Sequence, residues 1–200
     1  MSEIEMQRSA PLSHDLLMVG QTPPPYHGQA VATGILFEHD WTRIRVRCLR
    51  MDYSRSTDEV GKAGVGKLIS LVRLVLRTWK VLRSLRAPVL YYLPASPHFV
   101  PVVRDIFYLA LVRPFTVGTI YHFHAGGLAE YLARHRVLGA LARWAYGQPR
   151  LAIEIAESVA GVGDYLGAAS QVIVRNGLEV PVPVLRQPRE DGMVSGLFVG

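Results

Sequence analysis

Short apolar runs alternate with longer helix-periodic stretches along the whole chain, and this constrains the possible folds more than any other feature. Five runs are apolar almost throughout: His14–Gly20 (HDLLMVG), Val89–Leu93 (VLYYL), Thr116–Phe123 (TVGTIYHF), Leu151–Ile155 and Gln171–Val174. A sixth, Ile44–Leu49 (IRVRCL), alternates in polarity. Gly28–Glu38, Val65–Leu85, His98–Val112, Leu128–Tyr146 and Val159–Leu166 carry helical patterns, the fourth as one helix or as two broken near His135. Strands without polar alternation are buried on both faces, and strands separated by helices belong to parallel crossovers rather than hairpins. The expected fold class is therefore α/β: a Rossmann-like, doubly wound, mostly parallel sheet. In such sheets ligands lie beyond the carboxyl ends of the strands. That directs attention to loops 20–28, 50–64, 94–98, 122–128, 156–158 and 175–179.

Residues 1–180 are expected to form this domain. Val180–Gly192 is Pro-rich and then charged, which suits a linker over 181–194. The closing SGLFVG, residues 195–200, resembles an apolar strand with no partner of its own. It is expected either to open a second domain or to add to the first sheet.

Composition narrows the function classes. With 200 residues, half of them apolar and 19% charged, the chain suits a packed core rather than disorder. A single cysteine, Cys48, excludes a disulfide framework and a Cys-rich metal site. The first fifteen residues are polar and lack a signal-peptide core, and the longest uncharged stretch, Ala87–Val103, is interrupted by four prolines. A cytoplasmic location follows as an expectation, with peripheral attachment to the inner face of the plasma membrane as an option.

The net charge of +6 is unevenly spread: Val60–Arg104 holds eight basic residues and no acidic one. Lys67, Arg73, Arg77, Lys80 and Arg83 fall on the long helix together with Leu68, Leu71, Val72, Val75, Leu76, Trp79 and Leu82. A basic amphipathic helix with Leu and Trp suits an anionic membrane surface. It also suits a solvated outer face over an ordinary core stripe, and both readings stand at this point. No nucleic-acid motif accompanies the charge, so nucleic acid is not an expected partner.

Several motifs bear on chemistry. Gly61–Leu68 (GKAGVGKL) approaches a phosphate-binding loop, but Leu68 stands where magnesium needs a hydroxyl and no strand leads into it. Gly161-Val-Gly163 lacks the third glycine of a dinucleotide fingerprint. After the first strand, Pro25, Tyr26, His27, Gly28 and Gln29 form a stiff loop that opens a helix. Its amides, Gln29 to Val31, would favour an anion such as a diphosphate; a rigid turn without ligand is the alternative. His122 and His124 share one face at the end of the fourth strand and are followed by Gly126 and Gly127. Imidazoles there suit a sugar hydroxyl or a phosphate; a metal is not expected, because no third ligand is evident. Glu154 and Asn176 close the fifth and sixth strands and complete the candidate binding residues.

In their order, the strand leading into PPPYHGQAVATG, then YHFHAGG, IEIAES, SQVIVRNGLEVP and GLFVG, the motifs resemble the N-terminal half of a GT-B glycosyltransferase of family 4. The resemblance spans nearly the whole chain. It implies a retaining transferase that moves a sugar from a nucleotide sugar to a polysaccharide or lipid-linked acceptor, with no resident cofactor. It further implies that Gly28 lies near the donor diphosphate and that His124 hydrogen-bonds near the reacting sugar. His27 stands where the family often has another glycine. The family's donor-binding half, with its paired glutamates, would follow Gly200, so this chain alone is expected to be inactive. The alternative is a non-catalytic α/β ligand- or membrane-binding module.

Overall fold

The computed structural model describes residues 14–24, 26–51, 65–157, 161–175 and 177. Pro25, Asn176, Gly61–Gly64 of the near phosphate loop, the linker over 181–194 and the closing 195–200 segment lie outside the described residues.

Six parallel strands form one sheet in the order β2-β1-β3-β4-β5-β6. They are β1 (Leu16–Gly20), β2 (Val46–Arg50), β3 (Val89–Tyr92), β4 (Gly118–Phe123), β5 (Leu151–Glu154) and β6 (Gln171–Ile173). Six helices connect them: α1 (Gly28–Glu38), α2 (Val65–Leu82), α3 (Phe99–Val112), α4 (Leu128–Arg134), α5 (Arg136–Tyr146) and α6 (Val162–Leu166). The doubly wound α/β fold is as expected, and the helical stretch after β4 does break at His135. Before β4, Arg113–Phe115 forms a 3-10 turn. The turn takes the Thr116 amide, which donates to the Arg113 carbonyl at 3.0 Å, so β4 starts later than the apolar run does.

Strand parity divides the core cleanly. Leu17, Val19, Leu90, Tyr92, Tyr121 and Phe123 pack with α2 to α6. Leu16, Met18, Val89, Tyr91 and Leu93 face the other way, against Leu36 and Phe37 of α1. Among the described residues, α1 is thus the one helix on its face of the sheet. Its close seat depends on Gly20, where a Cβ would come within 2.7 Å of Thr33 Cγ2 and 2.8 Å of Leu93 Cδ1.

A buried carboxylate organises the other face. Asp105 on α3 has no exposed surface. Its Oδ1 accepts from Tyr92 Oη at 2.7 Å and from Arg104 Nε and Nη2 at 2.8 and 2.6 Å. Its Oδ2 accepts from Ala95 N at 2.8 Å and Tyr146 Oη at 3.3 Å. Strand β3, the loop after it and the last turn of α5 are thereby tied to α3. Removing a buried charged acceptor strands its donors, at a cost of about 3–5 kcal/mol. Asp105→Ala is therefore expected to lose about that much stability in urea denaturation followed by far-UV circular dichroism. Tyr92→Phe, which removes one donor, should lose about 1 kcal/mol.

Candidate functional site

The crossover leaving β1 runs to β2 on one side, whereas the crossover leaving the adjacent β3 runs to β4 on the other. The carboxyl ends of β1 and β3 therefore diverge into loops that leave a crevice, the usual ligand position in an open α/β sheet. Helix α1 starts at that crevice.

His27 is the N-cap of α1. Its backbone is extended, and its Nδ1 accepts the Ala30 amide at 3.3 Å. Burial holds its pKa below the ordinary value, which keeps Nδ1 available as an acceptor. This changes the expected anion cradle. The Ala30 amide is taken by the imidazole and the Val31 amide by the His27 carbonyl at 3.0 Å. Of the first-turn amides, those of Gly28 and Gln29 remain for a ligand. Space is open at Gly28, where a Cβ would meet no atom within 4 Å. Tyr26 is 78% exposed beside it.

Gln29 turns inward: its Nε2 reaches the Leu93 and Pro94 carbonyls at 3.4 and 3.3 Å and ties α1 to the end of β3. From the end of β2, Arg50 Nη2 donates to the Pro24 carbonyl at 2.9 Å and steadies the Pro-rich loop.

At the end of β4, next to β3, His122 on the strand and His124 just beyond it lie together with ring centroids 4.2 Å apart. His122 is only 7% exposed. Its Nδ1 lies 2.6 Å from Tyr91 Oη. Its Nε2 and both ring nitrogens of His124 are buried and meet no protein hydrogen-bond partner. Burial, and then the neighbouring His124, push the His122 pKa down to about 3. Burial also lowers that of His124. The pair is thus neutral at physiological pH. Neutral imidazoles each offer one donor and one acceptor, which suits hydroxyl groups and gives a phosphate no charge compensation. Gly126 sits in the adjoining loop, and Gly127, at φ +80°, starts α4 in a conformation that favours glycine.

Tyr26, Gly28, Gln29, His122, His124 and Gly126 all lie at or just beyond the carboxyl ends of β1 and β4, the two strands that flank β3. Glu154 does not join them. Paired with Phe123, it faces the opposite side of the sheet. Its Oε1 accepts the Val162 and Gly163 amides of α6 at 3.1 Å each. It is 2% exposed and acts as the anchor of that short helix. Tyr91 escaped the sequence reading, although a tyrosine inside a buried strand must place its hydroxyl against a partner.

The basic helix has its own geometry. Arg73, Arg77, Lys80 and Arg83 are exposed, while Lys67 is half-buried. Leu71, Leu74, Val75 and Leu82 reach the core, but Leu68, Ile69, Val72 and Leu76 are exposed. Phe99, Val103 and Phe107 of neighbouring α3 are exposed as well. The outer surface of α2 and α3 is thus apolar as well as basic, beyond what a solvated face requires. No group of three or more metal-ligating side chains occurs among the described residues, and no described helix is long and apolar enough to cross a membrane. Comparison with known proteins found no matching family model, curated protein or solved structure.

A histidine buried in its neutral form binds protons less readily than it does once unfolded. His122 titrates at about 3 when folded against 6.5 as its ordinary value, so stability should be intact above about pH 6.5 and fall as the pH drops from there toward 3. The limiting slope is about 1.4 kcal/mol per pH unit for one such group. Urea midpoints between pH 7 and pH 4.5 should show it, and His122→Gln should flatten that dependence.

Proposed function

We propose that this chain is the acceptor-side lobe of a retaining, nucleotide-sugar-dependent glycosyltransferase, acting on a polysaccharide or lipid-linked acceptor at an anionic membrane surface. The observation that carries the reading is the pair of neutral, buried, partner-seeking imidazoles at the end of β4, at the same carboxyl rim of the sheet as the open N-terminus of α1. Sugar hydroxyls supply the donors and acceptors these nitrogens lack. The resemblance to family 4 transferases supplies the reaction. The bond from the anomeric carbon to the diphosphate breaks, the acceptor oxygen bonds to that carbon, and the acceptor proton leaves with the nucleoside diphosphate.

In this reading His124 orients the transferring sugar, and the Gly28 and Gln29 amides meet an oxygen of the donor. Charge develops on the departing diphosphate, and stabilising it takes preorganised donors. Two backbone amides are few for that task, so the reading assigns the remaining donors to a second, donor-binding lobe. No cofactor is invoked; the nucleotide sugar is a substrate. A radiolabelled sugar-transfer assay tests the division of labour: the chain alone should give no turnover, and turnover would overturn it. The reading frame beyond codon 200 tests the identity. A second α/β half with paired glutamates supports a transferase, whereas an immediate stop supports a non-catalytic α/β ligand- or membrane-binding module.

The exposed apolar and basic residues of α2 and α3 support the membrane component. Each Lys or Arg near an anionic leaflet contributes about 1 kcal/mol. In liposome flotation the chain should bind anionic vesicles far more than neutral ones, and Arg73→Glu with Lys80→Glu should abolish most of the difference. Equal binding to both vesicle types would remove the electrostatic contribution.

A further inference from the structure

Tyr91 points from β3 toward the α1 side of the sheet, opposite to Tyr92, and is nearly buried. Its hydroxyl lies 2.6 Å from His122 Nδ1. Two proton arrangements fit that distance. If Nδ1 carried the proton and donated to the tyrosine, the phenolic O–H would be left buried without an acceptor, and Nε2 would be a bare acceptor without a donor. If the phenol donates to Nδ1, its proton is satisfied and only the Nε2–H remains without a protein partner. Buried groups left unpaired are costly, so the second arrangement is favoured. Burial also raises the Tyr91 pKa well above its ordinary value, so the phenol keeps its proton.

We propose that Tyr91 is a positioning residue: by donating to Nδ1 it fixes His122 as the Nε2–H tautomer and aims a permanent hydrogen-bond donor at an oxygen of the bound ligand. For the ligand's chemistry, a hydroxyl or ether oxygen, the proposal rests on the sugar-binding reading of this site. The tautomer stands apart from that reading. His122 also lies against His124, just beyond the end of β4, so the donor lies against a group that can accept from the same ligand. A hydroxyl bridging the two rings would satisfy one donor and one acceptor at once.

The test is nitrogen-resolved NMR of the histidine side chains in the ligand-free chain at neutral pH. His122 should show a bare Nδ1 and a protonated Nε2. Tyr91→Phe keeps the ring and the packing but removes the donor. It should give a mixture of tautomers at His122 and raise that residue's titration by roughly one pH unit, since one net hydrogen bond is worth about 1 kcal/mol. A urea midpoint at pH 7 lowered by no more than that one hydrogen bond, with native far-UV circular dichroism, would show that the fold survives the substitution. A protonated Nδ1 in the parent chain, or an unaltered tautomer in Tyr91→Phe, would overturn the proposal. Glycerol, as a minimal hydroxyl probe, should shift the Nε2 signal, and inorganic phosphate should not. A response to phosphate alone would overturn the ligand assignment while leaving the tautomer result intact. The tautomer is read without turnover, so its failure is distinguishable from failure of the transferase reading.

Discussion

The carboxylate of Asp105 is the constraint on which the helical side of this molecule depends. A charge with no exposure is stable only where donors surround it, and here they come from separate segments: Tyr92 on β3, Ala95 in the following loop, Arg104 on α3 and Tyr146 on α5. The tyrosines that serve it form a packed group. Tyr92 stacks on Tyr108 with centroids 5.2 Å apart, and Tyr121 meets Tyr146 edge-on while donating to its carbonyl at 2.7 Å. Tyr108 in turn lies 3.0 Å from Thr78 on α2. A polar network thus threads a core that composition alone would describe as aliphatic. Every member must find its partner, which specifies one packing arrangement rather than several.

The two faces of the sheet divide the work. The side carrying α2 to α6 is thick and supplies rigidity. The side carrying α1 is thin, and it holds both imidazoles, the Gln29 tie and the Gly28 opening. Helices α2 and α3 both begin at the carboxyl rim of the sheet, since each follows a strand and runs back toward the start of the next. Their first turns, with Lys67, Leu68 and Phe99, therefore stand at the same rim as the crevice. A surface seated on those turns would lie at the same rim as the candidate site.

Much of this organisation was legible in the residues. Continuous apolar runs identified β1, β3, β4 and β5 as parallel strands of the interior, whereas the run at Gln171–Val174 forms β6 with its residues exposed, and Gly28–Glu38, read as a helix after a Pro-rich loop, has its expected ends. The His-x-His pair was placed on one face by the period of a strand, and the ring contact agrees. What escaped depended on partners distant in sequence. Without the β4–β5 register, nothing set Glu154 on the face opposite His122 or announced the α6 amides it meets. Tyr91 and Asp105 gave no local signal either: a tyrosine in a strand and an aspartate in a helix are ordinary until the fold brings their partners to them. Helix α2 had an apolar surplus visible in its composition, but only packing could separate the residues that reach the core from those that do not.

Gly20, the last residue of β1, shows how the candidate site depends on a backbone position that contributes no side chain to it. Its bare backbone lets Thr33 and Leu93 close over the end of β1. A methyl group there would wedge α1 off the sheet and lift its first turn away from β3, loosening the Gln29 bridge. The crevice at the ends of β1 and β3 would then widen with none of its side chains altered.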